Sequence, residues 1–499
     1  MILGKIDPLT GDSKNKTLPV ATSPIALTAG EDIPFHCDYY KNKLCRAFWR
    51  LSYEGGAKYK DGKDASGEEV FIKHEQESQK GVKRRKRLSV YRNYCKPIVN
   101  KYNDFIFTQP IKREDENEIY LEWCLDVDNL GTSLHHYMRE LSRIAAVEGT
   151  AYTLIESTKE DPEQTQAQSL IAGNRLFLVT IDNDRIINWT ESSGVMTQVL
   201  VYFPQYNELR LYEKDTITRA FIDSKDRMKI KIVDEPMKHP YGILPVVRVE
   251  SMPNCNSQIE DIAECNKSLY NMDALLREEL ARQTFTQWLV TGVDAEDMMK
   301  AEAVLGGRKL WCINKQGIEA KQLGSDISQA ESIRKTIDGD IREIYRLSGL
   351  QNPEVVQGAE SGRALKIRWN DVAITAGAIA DNAEHSENKI IELWTAGMGG
   401  AQEITPSDYP ENFDTESLEI SLKMTLDILA SDLPPIVKNL KTREFTNEAF
   451  PKMTYEEKQL LESQLKEKEQ YEQENRNALQ MLKAGEPAVN EEEDDTWKR

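Results

Sequence analysis

The chain is 499 residues long, 39% hydrophobic and 29% charged, and carries a formal net charge of −19. This describes a folded chain with a heavily charged surface, long enough for three or four structural units at about 150 residues each. The acidic balance argues against a protein that coats nucleic acid, which needs Lys and Arg clustered over its surface. It leaves nucleic acid open as a passenger, because an acidic wall repels a polyanion and keeps it from sticking.

The longest apolar runs, Ile243–Val249 and Ser142–Val147, fall far short of the roughly 18 residues that cross a bilayer, so no membrane segment is expected. Asp7, Asp12 and Lys14 to Lys16 interrupt the early residues where a signal peptide would be apolar, which predicts an intracellular protein. Seven cysteines (Cys37, Cys45, Cys95, Cys124, Cys255, Cys265, Cys312) lack CxxC spacing and are odd in number, which reads as reduced thiols. The acceptor triplets at Asn15, Asn188 and Asn266 matter only in secreted chains.

In chain order, residues 1–38 read as an N-terminal arm, rich in Pro, Thr, Lys and Asp without a sustained period. Helical patterning begins at Tyr39 to Tyr53, and a Gly-, Lys- and Asp-rich excursion follows from Gly55 to Gly67. Tyr91, Tyr94, Cys95, Ile98, Val99, Tyr102 and Ile106 predict an amphipathic helix over Val90–Phe107, ended by Gln109-Pro110-Ile111. Leu121–Glu148 reads as another, with Gly149 placed for a left-handed helix end. Seven β-branched or aromatic runs then predict an antiparallel β unit: Ala151–Glu156, Leu176–Ile181, Ile186–Trp189, Gln198–Phe203, Glu208–Glu213, Thr216–Ile222 and Lys229–Val233. Tyr241–Val247 closes it.

From Ile259 the pattern becomes helical again. Ile259, Ile262, Leu269, Leu276 and Leu280 form a narrow apolar seam over 256–284, and a second helix is predicted over 328–348. Between them Thr286–Val290, Lys309–Ile313 and Ile318–Leu323 read as strands of a small α+β insert. A long helix carries Leu365, Trp369, Val372, Ala376, Ile379, Ala383, Ile390 and Trp394 on one stripe. The last third adds a strand at Leu418–Leu426, a Pro434-Pro435 break, a charged helix from Thr454 to Leu482 opened by a capping box with Glu457, and an acidic tail over 486–499.

Neither a phosphate loop GxxxxGK[ST] nor GxGxxG occurs, so ATP hydrolysis and dinucleotide binding have no sequence warrant, and no cofactor or metal is expected. Asp126, Asp128 and Gly131 mimic the opening of an EF-hand loop, but Leu130 and Tyr137 stand where ligands are required. His135-His136 are adjacent on a helix and point different ways. Asp182 and Asp184 flank Asn183, a pattern met in turns and, less often, in nuclease carboxylate pairs. Lys83-Arg84-Arg85-Lys86-Arg87 reads as a solvated helix start, a phosphate-binding patch or a nuclear-import signal.

The order of these parts resembles the portal proteins of tailed double-stranded DNA bacteriophages, the head-to-tail connector family. Tyr94–Ile111 looks like that family's first wing helix, and Ala146–Ile155, with Glu148-Gly149-Thr150-Ala151-Tyr152, resembles its helix-to-strand corner. His239–Val247 is similar to the strand leading into the first stem helix, and Ser361-Gly362-Arg363-Ala364-Leu365-Lys366 resembles the start of the long wing helix. The likeness runs from about residue 40 to residue 427.

The resemblance implies an α+β subunit with a mixed α/β wing, a helical stem, a small α+β clip and a helical crown. On this sequence those parts are wing 39–255, stem helix 256–284, clip 285–327, stem helix 328–348, tunnel loop 349–362, wing 363–427 and crown 428–485. It further implies no enzymatic activity and a homo-oligomeric ring, of twelve subunits in the family, at the capsid portal vertex of a virion assembled in host cytoplasm. Double-stranded DNA would pass through its channel. The implied partners are the terminase large subunit and a head-completion or adaptor protein, both expected at the clip, with major capsid and scaffolding proteins around the ring. Arg334, Lys335, Asp338, Arg342, Glu343 and Arg346 would line the channel, Gln351, Asn352, Glu354, Gln357 and Glu360 would form the tunnel loop, and Lys83 to Arg87 are a candidate DNA contact. Two other readings stay open: a scaffold or adaptor with a coiled-coil C-terminus, and a metal-dependent nuclease using Asp182 and Asp184.

Overall fold

The computed structural model describes residues 24–113, 115, 117–158, 175–284, 287–291, 310–313, 319–323, 327–350, 362–400, 404–410, 418–431, 434–449, 460–461 and 463–465. The chain divides into two compact units, Met1–Phe413 and Asp414–Arg499.

In the first unit, α1 (Tyr39–Glu54), α2 (Gly56–Lys60), α3 (Gln79–Leu88), α4 (Cys95–Phe107), α5 (Glu118–Leu125) and α6 (Leu134–Glu148) precede the strands. Two predicted helices are shorter or divided. Residues 90–94 are not helical, because the Asn93 side chain accepts the Lys96 amide and Pro97 stands in the first turn, so α4 begins at Cys95. The span Leu121–Glu148 is split: Asp126 captures the Gly131 amide at 2.8 Å and Asp128 the Leu130 amide at 2.9 Å, and Ser133 restarts the helix by capping His136.

The predicted single β unit is two sheets. β1 (Thr150–Ser157) pairs antiparallel with β2 (Leu176–Ile181) on one side and β9 (Val246–Glu250) on the other. The larger sheet runs β3 (Ile186–Ser192), β4 (Val195–Phe203), β5 (Glu208–Tyr212), β6 (Thr216–Ile222) and β7 (Ile230–Val233), with β8 (Met237–Lys238) also on β6. Gly149, at the end of α6, has φ +85°, and a Cβ there would sit 2.2 Å from the Cys255 carbonyl oxygen, so the helix-to-strand corner requires glycine.

α7 (Glu260–Thr284) and α8 (Ile327–Leu347) flank three short strands, β10 (Gln287–Thr291), β11 (Leu310–Ile313) and β12 (Glu319–Leu323). β10 is central, parallel to β11 and antiparallel to β12. α9 (Gly362–Gly397) is 36 residues long, about 54 Å at 1.5 Å per residue. From Val372 onward it buries Ala376, Ile379, Ala380, Ala383, Ile390, Leu393 and Trp394, as its stripe predicts; Leu365 and Trp369 lie outside the described side chains. One core joins these residues to α1, α4, α6, the β1 sheet, α7 and α8, with Trp394 in contact with Tyr120 and Trp123 at its base.

In the second unit the predicted strand at Leu418–Leu426 is a helix, α10 (Leu418–Ala430), packed on α11 (Pro435–Ala449). Alternating Leu418, Ile420, Leu422, Met424 and Leu426 imitate a strand. The Leu-, Glu-, Lys- and Met-rich composition favours helix, and Lys438 caps the Leu429 carbonyl at 2.9 Å. The predicted helix Thr454–Leu482 and the acidic tail lie outside the described residues, apart from helical residues 460–461 and 463–465.

Candidate functional site

α8 has two faces, and the sequence separates them. Ala330, Ile333, Ile337, Ile341 and Ile344 recur at spacings of three and four and turn toward α7, where Ile262, Leu269 and Leu276 face them. Ser268 Oγ donates to Asp340 at 3.0 Å across this seam. On another face Arg334, Asp338, Arg342 and Arg346 follow at four-residue steps, so they form one stripe, and all four are exposed, as is Lys335. Arg342 donates to the Asp338 carbonyl at 3.1 Å, and Arg346 grips the half-buried Glu343 with two hydrogen bonds, Nε to Oε2 at 2.8 Å and Nη2 to Oε1 at 2.5 Å. That grip holds the Glu343 carboxyl below its ordinary value. Of the six residues assigned to this surface, five therefore share an exposed position, and Glu343 serves Arg346.

The opposite flank of α7 is bound by polar groups to the segments that precede and follow α3. Asn271 accepts the Ile72 amide at 2.9 Å and donates to the Val70 carbonyl at 3.0 Å; Asp273 holds Arg92 at 3.0 Å and Arg277 at 2.5 Å; Lys267 reaches Asp64 at 2.6 Å. Tyr59 stacks on Tyr91 with centroids 3.6 Å apart, and Tyr270 meets both rings edge-on. These groups fix the angle at which the helix pair leaves the body, because satisfying them all permits few orientations. No motif signals them: the partners stand up to 203 positions apart.

The tunnel-loop residues Gln351, Asn352, Glu354, Gln357 and Glu360 lie outside the described residues, and so do the side chains of the clip. The loop's root is described. Tyr102 donates to the Ser348 carbonyl at 2.7 Å, Gly349 has φ +67°, and Leu350 lines an open groove of about 520 Å³ with Pro97, Tyr102, Phe105 and Val372.

The basic run forms half of a helix of its own, α3, whose N-cap Ser78 accepts the Gly81 amide at 3.1 Å; it does not begin the next helix. Arg85 is only 3% exposed, pairs with Glu77 through Nε at 3.0 Å and Nη2 at 2.6 Å, donates to the Ile72 carbonyl and lies 4.3 Å above the Phe71 ring. Lys86 pairs with Asp61 at 2.6 Å. Lys83, Arg84 and Arg87 are exposed.

The remaining candidates are structural in their contacts. Asp182 caps a short 3-10 turn, and Asp184 pairs with Arg46 at 3.4 Å and Arg50 at 3.5 Å, while Arg50 also grips Glu148 at 2.8 Å. A divalent ion would have to displace those guanidiniums. Asp126 and Asp128 are turn acceptors. His135 sits 3.3 Å from Arg113, and burial, with Arg113 next, pushes its pKa down; His136 is exposed. His36, Cys37 and Asp38 carry no motif spacing, yet their ligand-type atoms lie within 4.8 Å of one another. Their own contacts hold them: the Asp38 amide donates to His36 Nδ1 at 3.2 Å, and His36 stacks on Trp189.

No family model matches the chain, and no curated protein matches it. Among solved structures it is similar to a chain from the neck of an empty GTA particle, computed with C6 symmetry. The identity is 14% over 81% of this chain and 93% of that one, with a TM-score of 0.39. A likeness at that level carries no functional argument.

Proposed function

We propose that this chain is a portal-type subunit. Its copies close head-to-tail into a ring, twelve in number as in the family it resembles, around a channel that passes double-stranded DNA in packaging and ejection. The ring stands at the capsid portal vertex among capsid and scaffolding proteins. The observation that supports this reading best is the pairing of α7 with α8 around a small three-stranded sheet. The pair is about 30 Å long, is sealed by its own apolar seam, and presents a stripe of mixed charge, three arginines and one aspartate, away from that seam. A mixed-charge stripe on an acidic chain lets a polyanion slide, with no deep well to hold it. Long helices with spare faces also suit the repeated heterologous contacts that a closed ring needs.

The strands between α7 and α8 are the proposed docking ground of the terminase large subunit and the head-completion protein. Because the named seam residues all lie outside 285–327, replacing that segment by a short linker should leave assembly intact and abolish motor docking in a pull-down. Retained docking would contradict the assignment.

A further inference from the structure

The structure divides the basic run by function. Arg85 is held inside the fold by Glu77, and Lys86 is paired at the surface with Asp61. Lys80, Lys83, Arg84 and Arg87 stand at positions i, i+3, i+4 and i+7 of α3, which puts all four on one face, and all four are exposed. Arg84 has a loose pair with Glu278 at 3.9 Å; Lys80, Lys83 and Arg87 have no ion pair among the described residues. Against a chain of net charge −19, four such cations on one helical face are a local reversal of sign.

We infer that this face is a track for a nucleic-acid backbone, separate from the channel stripe on α8. Three features favour phosphates over an acidic protein. The stripe holds no apolar or aromatic side chain to anchor a folded partner, and protein interfaces draw their energy from such anchors. Its length from Lys80 to Arg87 is about 10 Å, the axial rise of roughly three phosphates on one strand. The cations sit on a helix whose inner side is pinned by Arg85, so they are held in register and can meet successive phosphates. Contacts of that kind position a duplex without reading it.

The proposal does not depend on ring closure, so its failure and that of the ring reading are separate outcomes. The test is binding of the full chain to a DNA duplex of about 20 base pairs, followed from about 50 to 200 mM salt. Combined Lys80→Gln, Lys83→Gln, Arg84→Gln and Arg87→Gln should make the slope of log affinity against log salt shallower by about 2 to 4, since each phosphate neutralised contributes about 0.9. A control with the same loss of charge on the larger sheet and its loops, Lys214→Gln, Lys225→Gln, Arg227→Gln and Lys238→Gln, should leave the slope unchanged. Arg84→Lys with Arg87→Lys, which keeps the charge, should also preserve it. No duplex binding by the wild-type chain at low salt, equal losses in both fourfold variants, or preference for polyglutamate over DNA would each overturn the proposal.

Discussion

At the scale of single residues, the most consequential groups are buried charges that no motif announces. Glu387, on α9, is fully enclosed and takes a bidentate grip from Arg113 at 2.5 and 2.8 Å, while Tyr409 donates to it at 2.6 Å. Removing one member of a buried pair leaves the other uncompensated, so Glu387→Ala should cost about 3 to 5 kcal/mol in chemical denaturation. Tyr409→Phe keeps the ion pair and should cost only about 1 to 2 kcal/mol. Equal losses in the two variants would show that packing, not charge, holds this corner. Glu77 offers a pH test. Its hydrogen bond to buried Arg85, first among the causes, holds its carboxyl below the ordinary value. The stabilisation is therefore complete above the unfolded pKa of about 4.3 and is lost as pH falls through the lower folded value. Glu77→Gln should be less stable at neutral pH by about 1.5 to 3 kcal/mol and should show a shallower acid decline than wild type; parallel pH curves would remove Glu77 from that decline.

At the scale of elements, the α7 and α8 seam is the joint on which the proposed channel surface rests. Ile344 is fully buried in it, whereas Arg342 is exposed on the charged stripe. Ile344→Ala should cost about 2 to 5 kcal/mol, and Arg342→Ala should stay within about 0.5 kcal/mol in the same thermal or denaturant melts. Comparable costs would mean that the two faces are not distinct.

The same elements show what the residues disclose in advance. Seams at three- and four-residue steps and β-branched runs ended by turn residues were readable, so nearly every strand falls within a few residues of its expected position. Local side-chain captures were harder to foresee. Asp126 and Asp128 each compete with the helix for backbone amides, and nothing in the periodicity of Leu121–Glu148 marks the break they cause. The apolar residues of α10 satisfy both periods, and its helix-favouring composition together with its packing on α11 decides which one is used. The exposed stripe of α8 is visible in the sequence as charged residues at four-residue steps; that Glu343 serves Arg346, and that Arg85 is buried while its neighbours are not, requires the third dimension. The buried ties of α7 to Asp64, Val70 and Ile72 join residues about 200 positions apart and leave no local signature.

At the scale of the molecule, the account is one of assembly. A single copy presents long helices, exposed large side chains such as Leu125 and Leu130, and a net charge of −19, features to which the proposed ring around a passing polyanion would give a common purpose. The measurement that bears on this most directly is particle mass combined with negative-stain imaging of the purified full chain. The account predicts a closed ring with a central hole and a mass near twelve times 57.0 kDa. A monodisperse monomer or dimer at every concentration and salt tested would contradict it.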